Sequence, residues 1–136
     1  MTYEQENCPF CQIAAINNHH RVLQNNDHGF VIRDGFPVTE GHSLIIPRRH
    51  VLSFFELTKA ERNDLLDLLD AAKADLNREY GPAAYNIGIN DGPAAGQTIP
   101  HVHIHLIPRF NEAGVDPRGG VRWVVPEKAD YWSGRK

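Results

Sequence analysis

Three histidines alternate with aliphatic residues in the stretch His101-Val102-His103-Ile104-His105-Leu106-Ile107. A strand turns successive side chains to opposite faces, so this pattern predicts His101, His103 and His105 in a row on one side, with Val102, Ile104 and Leu106 on the other. Same-side neighbours on a strand lie roughly 6.5 to 7 Å apart, which makes the imidazoles a row in which each can do a different job. The aliphatic opposite face fits a strand with one side buried.

A second group of reactive residues is Cys8-Pro9-Phe10-Cys11, which holds the only two cysteines of the chain. In a reducing compartment such a pair is a redox dithiol or half of a metal site. The polar, acidic start and the short segment Gln12 to Ile16 do not resemble the buried strand and long helix around a thioredoxin-like dithiol, so zinc is the better reading. Two thiolates need two further ligands, and no histidine lies at zinc-finger spacing behind them. The partners therefore come from elsewhere in the chain. His42 and His50 bracket an apolar stretch and are candidates to meet the His101 strand if the two lie side by side. His19, His20 and His28 sit in polar, turn-like stretches and read as solvated surface.

The loop from Asn90 to Thr98 runs directly before the histidine row. Its small residues let backbone amides approach an anion, and Asn90, Gln97 and Thr98 add side-chain donors, so it reads as a phosphate cradle. It lacks the Walker lysine and the G-x-G-x-x-G pattern, which excludes an ATPase loop and a dinucleotide-binding turn.

The elements that position these residues follow from periodicity. Arg21 to Gln24 and Gly29 to Arg33 read as strands joined by a turn at Asn25 to His28, and His42 to Pro47 as a third strand with an apolar centre. Thr58-Lys59-Ala60-Glu61 is a capping box that opens one long helix, whose stripe of Leu65, Leu69, Ala72 and Leu76 covers a sheet until Gly81-Pro82 stops it. The acids and lysines of that helix, among them Asp64, Asp67, Asp70, Lys73 and Asp75, read as a solvated face. Tyr85, Ile87 and Ile89 alternate as the apolar side of a further strand. With 136 residues the chain is expected to be a single domain, and its net charge of −3 argues against a general nucleic-acid binder. The polar start and the lack of a long apolar run lead to the expectation of a cytoplasmic protein without membrane contact.

Taken together, these motifs strongly resemble the histidine triad family of nucleotide hydrolases and transferases. The resemblance rests on His-x-His-x-His followed by two apolar residues, on Gly96-Gln97-Thr98, Asn90-Asp91-Gly92, the Asp34 to Pro37 turn, Gly41-His42 leading Leu44-Ile45-Ile46-Pro47, and the cysteine pair. It covers a core of residues 8 to 109 and leaves 110 to 136 as a tail. It implies an α+β fold with an antiparallel five-stranded sheet, one long and one short N-terminal helix, and a homodimer whose sheets join.

The implied chemistry is cleavage at the α-phosphate of a purine nucleotide, either a dinucleoside polyphosphate or a nucleoside phosphoramidate, through a nucleotidyl-histidine. His103 would be the nucleophile, with His101, His105 and Gln97 completing the catalytic set. His105, Gln97, Asn90, Gly96 and Thr98 would bind phosphate, Asp34 the ribose, and Phe10, Ile13, Ile32 and Leu44 the base. A structural zinc would take Cys8, Cys11, His50 and His101, with His42 either behind the triad or in place of His50. Two other readings compete, a catalytic metal chelated by His101 and His103, and a module that binds nucleotides or a partner protein without turnover. The tail, with Arg118, Arg122, Trp123 and Trp132, either reaches over the site or packs in the dimer.

Overall fold

Five short strands and one capped helix give the chain its architecture. The computed structural model describes residues 3–134. Its strands are β1 (Gln24–Asn25), β2 (Gly29–Arg33), β3 (Ser43–Pro47), β4 (Ala84–Gly88) and β5 (Ile104–Arg109), and its helices α1 (Tyr3–Glu6), α2 (Pro9–Ala14), α3 (Lys59–Glu79) and α4 (Pro126–Ala129). The strands form one antiparallel sheet in the order β1-β2-β3-β5-β4. This is the expected α+β fold.

The sheet separates two apolar layers. Val31 of β2, Ile45 of β3 and Ile104 and Leu106 of β5 join Val102 on one face, where Leu65, Leu68, Ala72 and Leu76 of α3 cover them. Phe30, Ile32, Leu44 and Ile46 point the other way and are covered by Cys8, Phe10, Cys11 and Ile13 from α2 and its cap. Leu44 pairs with His105 across β3 and β5, so the histidines occupy the α2 side of the sheet. α3 opens as expected: the Thr58 hydroxyl accepts the Glu61 N–H at 3.1 Å and the Glu61 carboxylate accepts the Thr58 N–H at 2.8 Å. Among the described residues no helix is long and apolar enough to cross a membrane.

Three expectations need correction. The strand expected from His101 begins only at Ile104, because the Val102 N–H donates to the Val51 carbonyl at 2.9 Å and so leaves the ladder. The first strand is Gln24–Asn25 rather than Arg21 to Gln24, since the Val22 N–H turns back to the His19 carbonyl. Ile87 is 51% exposed although Tyr85 and Ile89 pack on the core, which follows from the position of β4 at the sheet edge. The helix surface is also less idle than its composition suggests, for Asp64 pairs with His28 at 2.7 Å and Asp75 with Arg78.

The tail folds largely on itself. Arg118 pairs with Asp116 and stacks over Trp132 at 4.7 Å, Arg122 stacks over Tyr131 at 4.7 Å, and the Trp123 indole donates to the Arg118 carbonyl. Its short 3₁₀ turn Gly120–Val124 packs against β4.

α3 can approach the sheet because Gly29 has no side chain. A Cβ there would lie 2.6 Å from Leu65 Cδ2 and 2.9 Å from the Ile46 carbonyl oxygen. Gly29→Ala is therefore expected to lower stability by roughly 1–3 kcal/mol through overpacking, read as a lower urea midpoint at unchanged slope.

Candidate active site and metal centre

The Cys-Pro-x-Cys sequence folds as the first turn of α2. Cys8 is the N-cap, its sulfur accepts the Cys11 N–H at 3.4 Å, and Pro9 occupies the start of the helix, where a missing amide costs nothing. That turn places both buried thiols beside two histidines from distant segments. Cys8 Sγ lies 3.3 Å from His101 Nδ1, and Cys11 Sγ lies 3.2 Å from His50 Nδ1 and 3.5 Å from His101 Nδ1.

The four donor atoms all fall within 4.8 Å of one another. A tetrahedral zinc with bonds of about 2.3 Å to sulfur and about 2.0 Å to nitrogen has donor-to-donor edges of about 3.3–3.8 Å, so the residues present fit zinc. Burial, and then the neighbouring Cys8, push the Cys11 thiol up to about 12, a penalty on the thiolate that a divalent cation among the sulfurs would offset. His42 is not part of the cluster, which settles the alternative of His42 for His50 on geometry.

His101 is fully buried and both of its ring nitrogens are committed. Nε2 donates to the Pro47 carbonyl at 2.7 Å, which leaves the lone pair of Nδ1 facing the sulfurs. A direct catalytic role for His101 is thereby corrected, since no face of its ring is open to a substrate. Its backbone matters instead. The His101 carbonyl accepts the Nδ1–H of His103 at 2.9 Å, which pins that proton and leaves His103 Nε2 with a free lone pair. The same commitments remove the reading in which His101 and His103 share a catalytic metal.

A second set of groups orders His105. The Val38 N–H donates to His42 Nδ1 at 3.2 Å, so the neutral His42 carries its proton on Nε2, 2.9 Å from His105 Nδ1 and 3.4 Å from Asp34 Oδ2. Donation from His42 to His105 leaves His105 with its own proton on Nε2, as a donor next to His103, whose ring centroid is 5.0 Å away. The Asp34, His42 and His105 donors lie close enough together for a metal, but the His42 nitrogen that would bind it bears a proton. Burial pulls His105 down to about 4, with His103 and His42 adding to the effect, and burial lowers His42 as well. Both rings are neutral donors at pH 7.

The structure redistributes the other expected contacts. Gln97 Oε1 accepts the Gly92 N–H at 2.8 Å, and its Nε2 donates to the Leu52 and Ile99 carbonyls at 2.9 and 3.1 Å. In this arrangement its side chain braces the loop. The amides of Ala95, Gly96 and Gln97 likewise close onto the Gly92 and Pro93 carbonyls, while Asn90 and Thr98 lie exposed on the loop. Asp34 Oδ1 accepts the Phe36 N–H at 2.8 Å. Phe10, Ile13, Ile32 and Leu44 are core residues, and Phe10 meets His101 and His103 edge-on.

A cavity of about 870 Å³ lies elsewhere, between Val38, Glu40, Asn86, Arg109 and Phe110, and includes none of the histidines. Concavity alone would have pointed away from the chemistry. The groups that sequence reasoning missed, the Pro47 carbonyl and the Val38 amide, are backbone atoms with no residue-type signal. Asp91 was also missed: it accepts from Ser53 Oγ and from the Phe54 N–H and so pins the loop to the Phe54–Glu56 turn.

Comparison with known proteins places the site in context. Residues 15–112 match the family model described as HIT domain. An uncharacterised 16.1 kDa HIT-like protein of Mycoplasma pneumoniae is 35% identical over 105 residues, covering 76% of this chain and 72% of its own. The bis(5'-adenosyl)-triphosphatase of Saccharomyces cerevisiae is 35% identical over 115 residues, 84% of this chain, which spans 53% of the yeast protein. A zinc-bound histidine triad family protein from Mycobacterium smegmatis superposes with a TM-score of 0.72 at 26% identity, covering 82% of this chain and 81% of its own.

The buried imidazoles carry a consequence for stability. In the metal-free chain burial pulls both His101 and His105 down to about 4 when folded, against 6.5 for an ordinary histidine. Between these values the unfolded chain binds more protons than the folded one, so acidification from about pH 6.5 toward 4 lowers stability. Denaturant midpoints measured across that window are expected to fall with pH; a flat profile would contradict neutral burial.

Proposed function

The chain belongs to the HIT domain family, and from that premise we propose that it is a nucleotide hydrolase or transferase acting at the α-phosphate of a dinucleoside polyphosphate or nucleoside phosphoramidate. The observation that carries this reading is the hydrogen bond from His103 Nδ1 to the His101 carbonyl, which presets the nucleophilic tautomer. The yeast relative named as a bis(5'-adenosyl)-triphosphatase supports the substrate class.

His103 Nε2 bonds to the α-phosphorus while the bond to the leaving group breaks, and the leaving group departs with that electron pair and takes a proton from solvent. The imidazole becomes a cationic nucleotidyl-imidazolium whose Nδ1–H points at the His101 carbonyl dipole, a partner that stabilises the new charge. His105, held by His42, donates Nε2–H to a non-bridging phosphate oxygen. Water then attacks phosphorus and gives up a proton to solvent, the phosphorus–nitrogen bond breaks, its electron pair returns to Nε2, and a nucleoside monophosphate leaves. Asn90 and Thr98 serve the phosphates and Asp34 the ribose. Zinc held by Cys8, Cys11, His50 and His101 supplies structural cross-linking of α2, the end of β3 and the His101 segment, with no part in bond making.

The protein is further proposed to pair as a homodimer through the outer edge of β4, where Ile87 is exposed. Light scattering is expected to give twice the chain mass, and Ile87→Lys the single mass.

Mass spectrometry of intact protein, mixed briefly with diadenosine triphosphate or adenosine phosphoramidate and kept from acid, tests the chemistry. Wild type is expected to show an adduct of one nucleoside monophosphate. His103→Ala is expected to bind nucleotide, form no adduct and lose at least about 10³-fold in turnover. Equal turnover by both proteins would sink the mechanism, and nucleotide binding without any adduct or turnover would favour a binding module.

A further inference from the structure

Glu61 is a carboxylate that the proposed reaction does not use, yet it is only 4% exposed. A buried charge of this kind is costly unless paired and hydrogen-bonded. Here Arg49 supplies the fork: Nε donates to Oε2 at 3.0 Å and Nη2 to Oε1 at 2.8 Å, while Oε1 also accepts the Thr58 N–H. Arg49 Nη2 adds a bond to the Glu56 carbonyl at 3.1 Å.

The position of Arg49 in the chain gives this pair its meaning. Two residues before it, the Pro47 carbonyl accepts from His101 Nε2; one residue after it, His50 turns Nδ1 to Cys11 Sγ; and the Val51 carbonyl accepts the Val102 N–H. Residues 47–51 thus meet the cysteine–histidine cluster through three groups. The chain leaves the sheet after Pro47. Arg48 anchors one end of the segment, its backbone N–H donating to the His28 carbonyl at 2.8 Å and its Nε to the Asn26 carbonyl at 3.1 Å, and the Arg49–Glu61 fork ties the middle to the first turn of α3.

We propose that Arg49 and Glu61 are positioning residues for the metal centre, setting the distance and orientation of His50 so that affinity and coordination geometry depend on α3. The proposal rests on the reading that Cys8, Cys11, His50 and His101 bind zinc. Groups that orient a ligand from outside the coordination sphere typically change metal affinity by about 10- to 100-fold.

Cobalt(II) is a suitable probe, because its visible bands report ligand geometry independently of turnover. The metal-free full chain is titrated with Co²⁺ in competition with a chelator, for wild type, Glu61→Gln, Arg49→Lys and Leu76→Ala. Glu61→Gln is expected to bind Co²⁺ about tenfold or more weakly with shifted bands, and Arg49→Lys to fall between it and wild type, since a lysine restores charge without the fork. Leu76→Ala, which leaves a cavity under the far end of α3 where Leu76 is fully buried, is expected to keep the wild-type spectrum and affinity. Wild-type spectra and affinities in both Arg49 and Glu61 variants would overturn the proposal while leaving the metal site intact. Equal weakening in Leu76→Ala would also overturn it, by reducing the effect to general stability. A wild type that binds neither Co²⁺ nor Zn²⁺ would overturn the metal reading and this proposal with it.

Discussion

The hydrogen bond between His103 Nδ1 and the carbonyl of His101 is the constraint on which the site depends. A carbonyl can only accept, so this contact fixes which ring nitrogen carries the proton and which keeps its lone pair. The carbonyl must itself be held, and His101 is fastened on every side. Its Nδ1 faces two sulfurs, its Nε2 donates to Pro47, and the next amide, that of Val102, donates to Val51. The N-terminal helix turn, the exit of β3 and the run into β5 therefore converge on one peptide group. The same logic recurs at His105, where the Val38 amide fixes the His42 tautomer and His42 fixes that of His105.

Burial wins over charge at these imidazoles. Asp34 lies near enough to His42 and His105 to favour their protonated forms, but desolvation is the larger effect at both and leaves them uncharged. The site thus presents two oriented neutral donors beside His103, whose Nδ1–H is held by the His101 carbonyl. Neutral donors aimed at developing charge need no reorganisation when that charge appears, whereas a row of imidazolium ions would repel one another and could not attack phosphorus. The same desolvation acts at the thiols, where burial raises Cys11 and favours its neutral form.

The sequence made the architecture legible wherever side chains repeat. β2 and the start of α3 lie where alternation and the capping box put them, and the grouping of Cys8 and Cys11 with two histidines matches the set that the family resemblance implied. What stayed hidden depends on backbone atoms. The alternating row by itself does not say which histidine does which job, and depth and partners are what separate His101 from His103. Gln97 carries the donors of a phosphate ligand, but the Leu52 and Ile99 carbonyls that occupy them lie where no sequence pattern shows them. The late start of β5 has the same origin, because the Val102 amide finds its acceptor in a loop.

Magnitudes explain why such exact tautomer control is possible on a small scaffold. Fully burying side chains such as Val102, Ile104 and Leu106 contributes roughly 1.5–3 kcal/mol each, whereas a single neutral hydrogen bond contributes about 1 kcal/mol net. The apolar face of the His101 to Leu106 run, packed under α3, therefore decides the register of the strand. A slip by one residue would expose three buried aliphatics and bury the imidazoles against α3, a cost no hydrogen bond of the site could offset. With register fixed by the core, the weaker contacts are left to choose only between tautomers of rings already in place, a choice within the reach of one carbonyl.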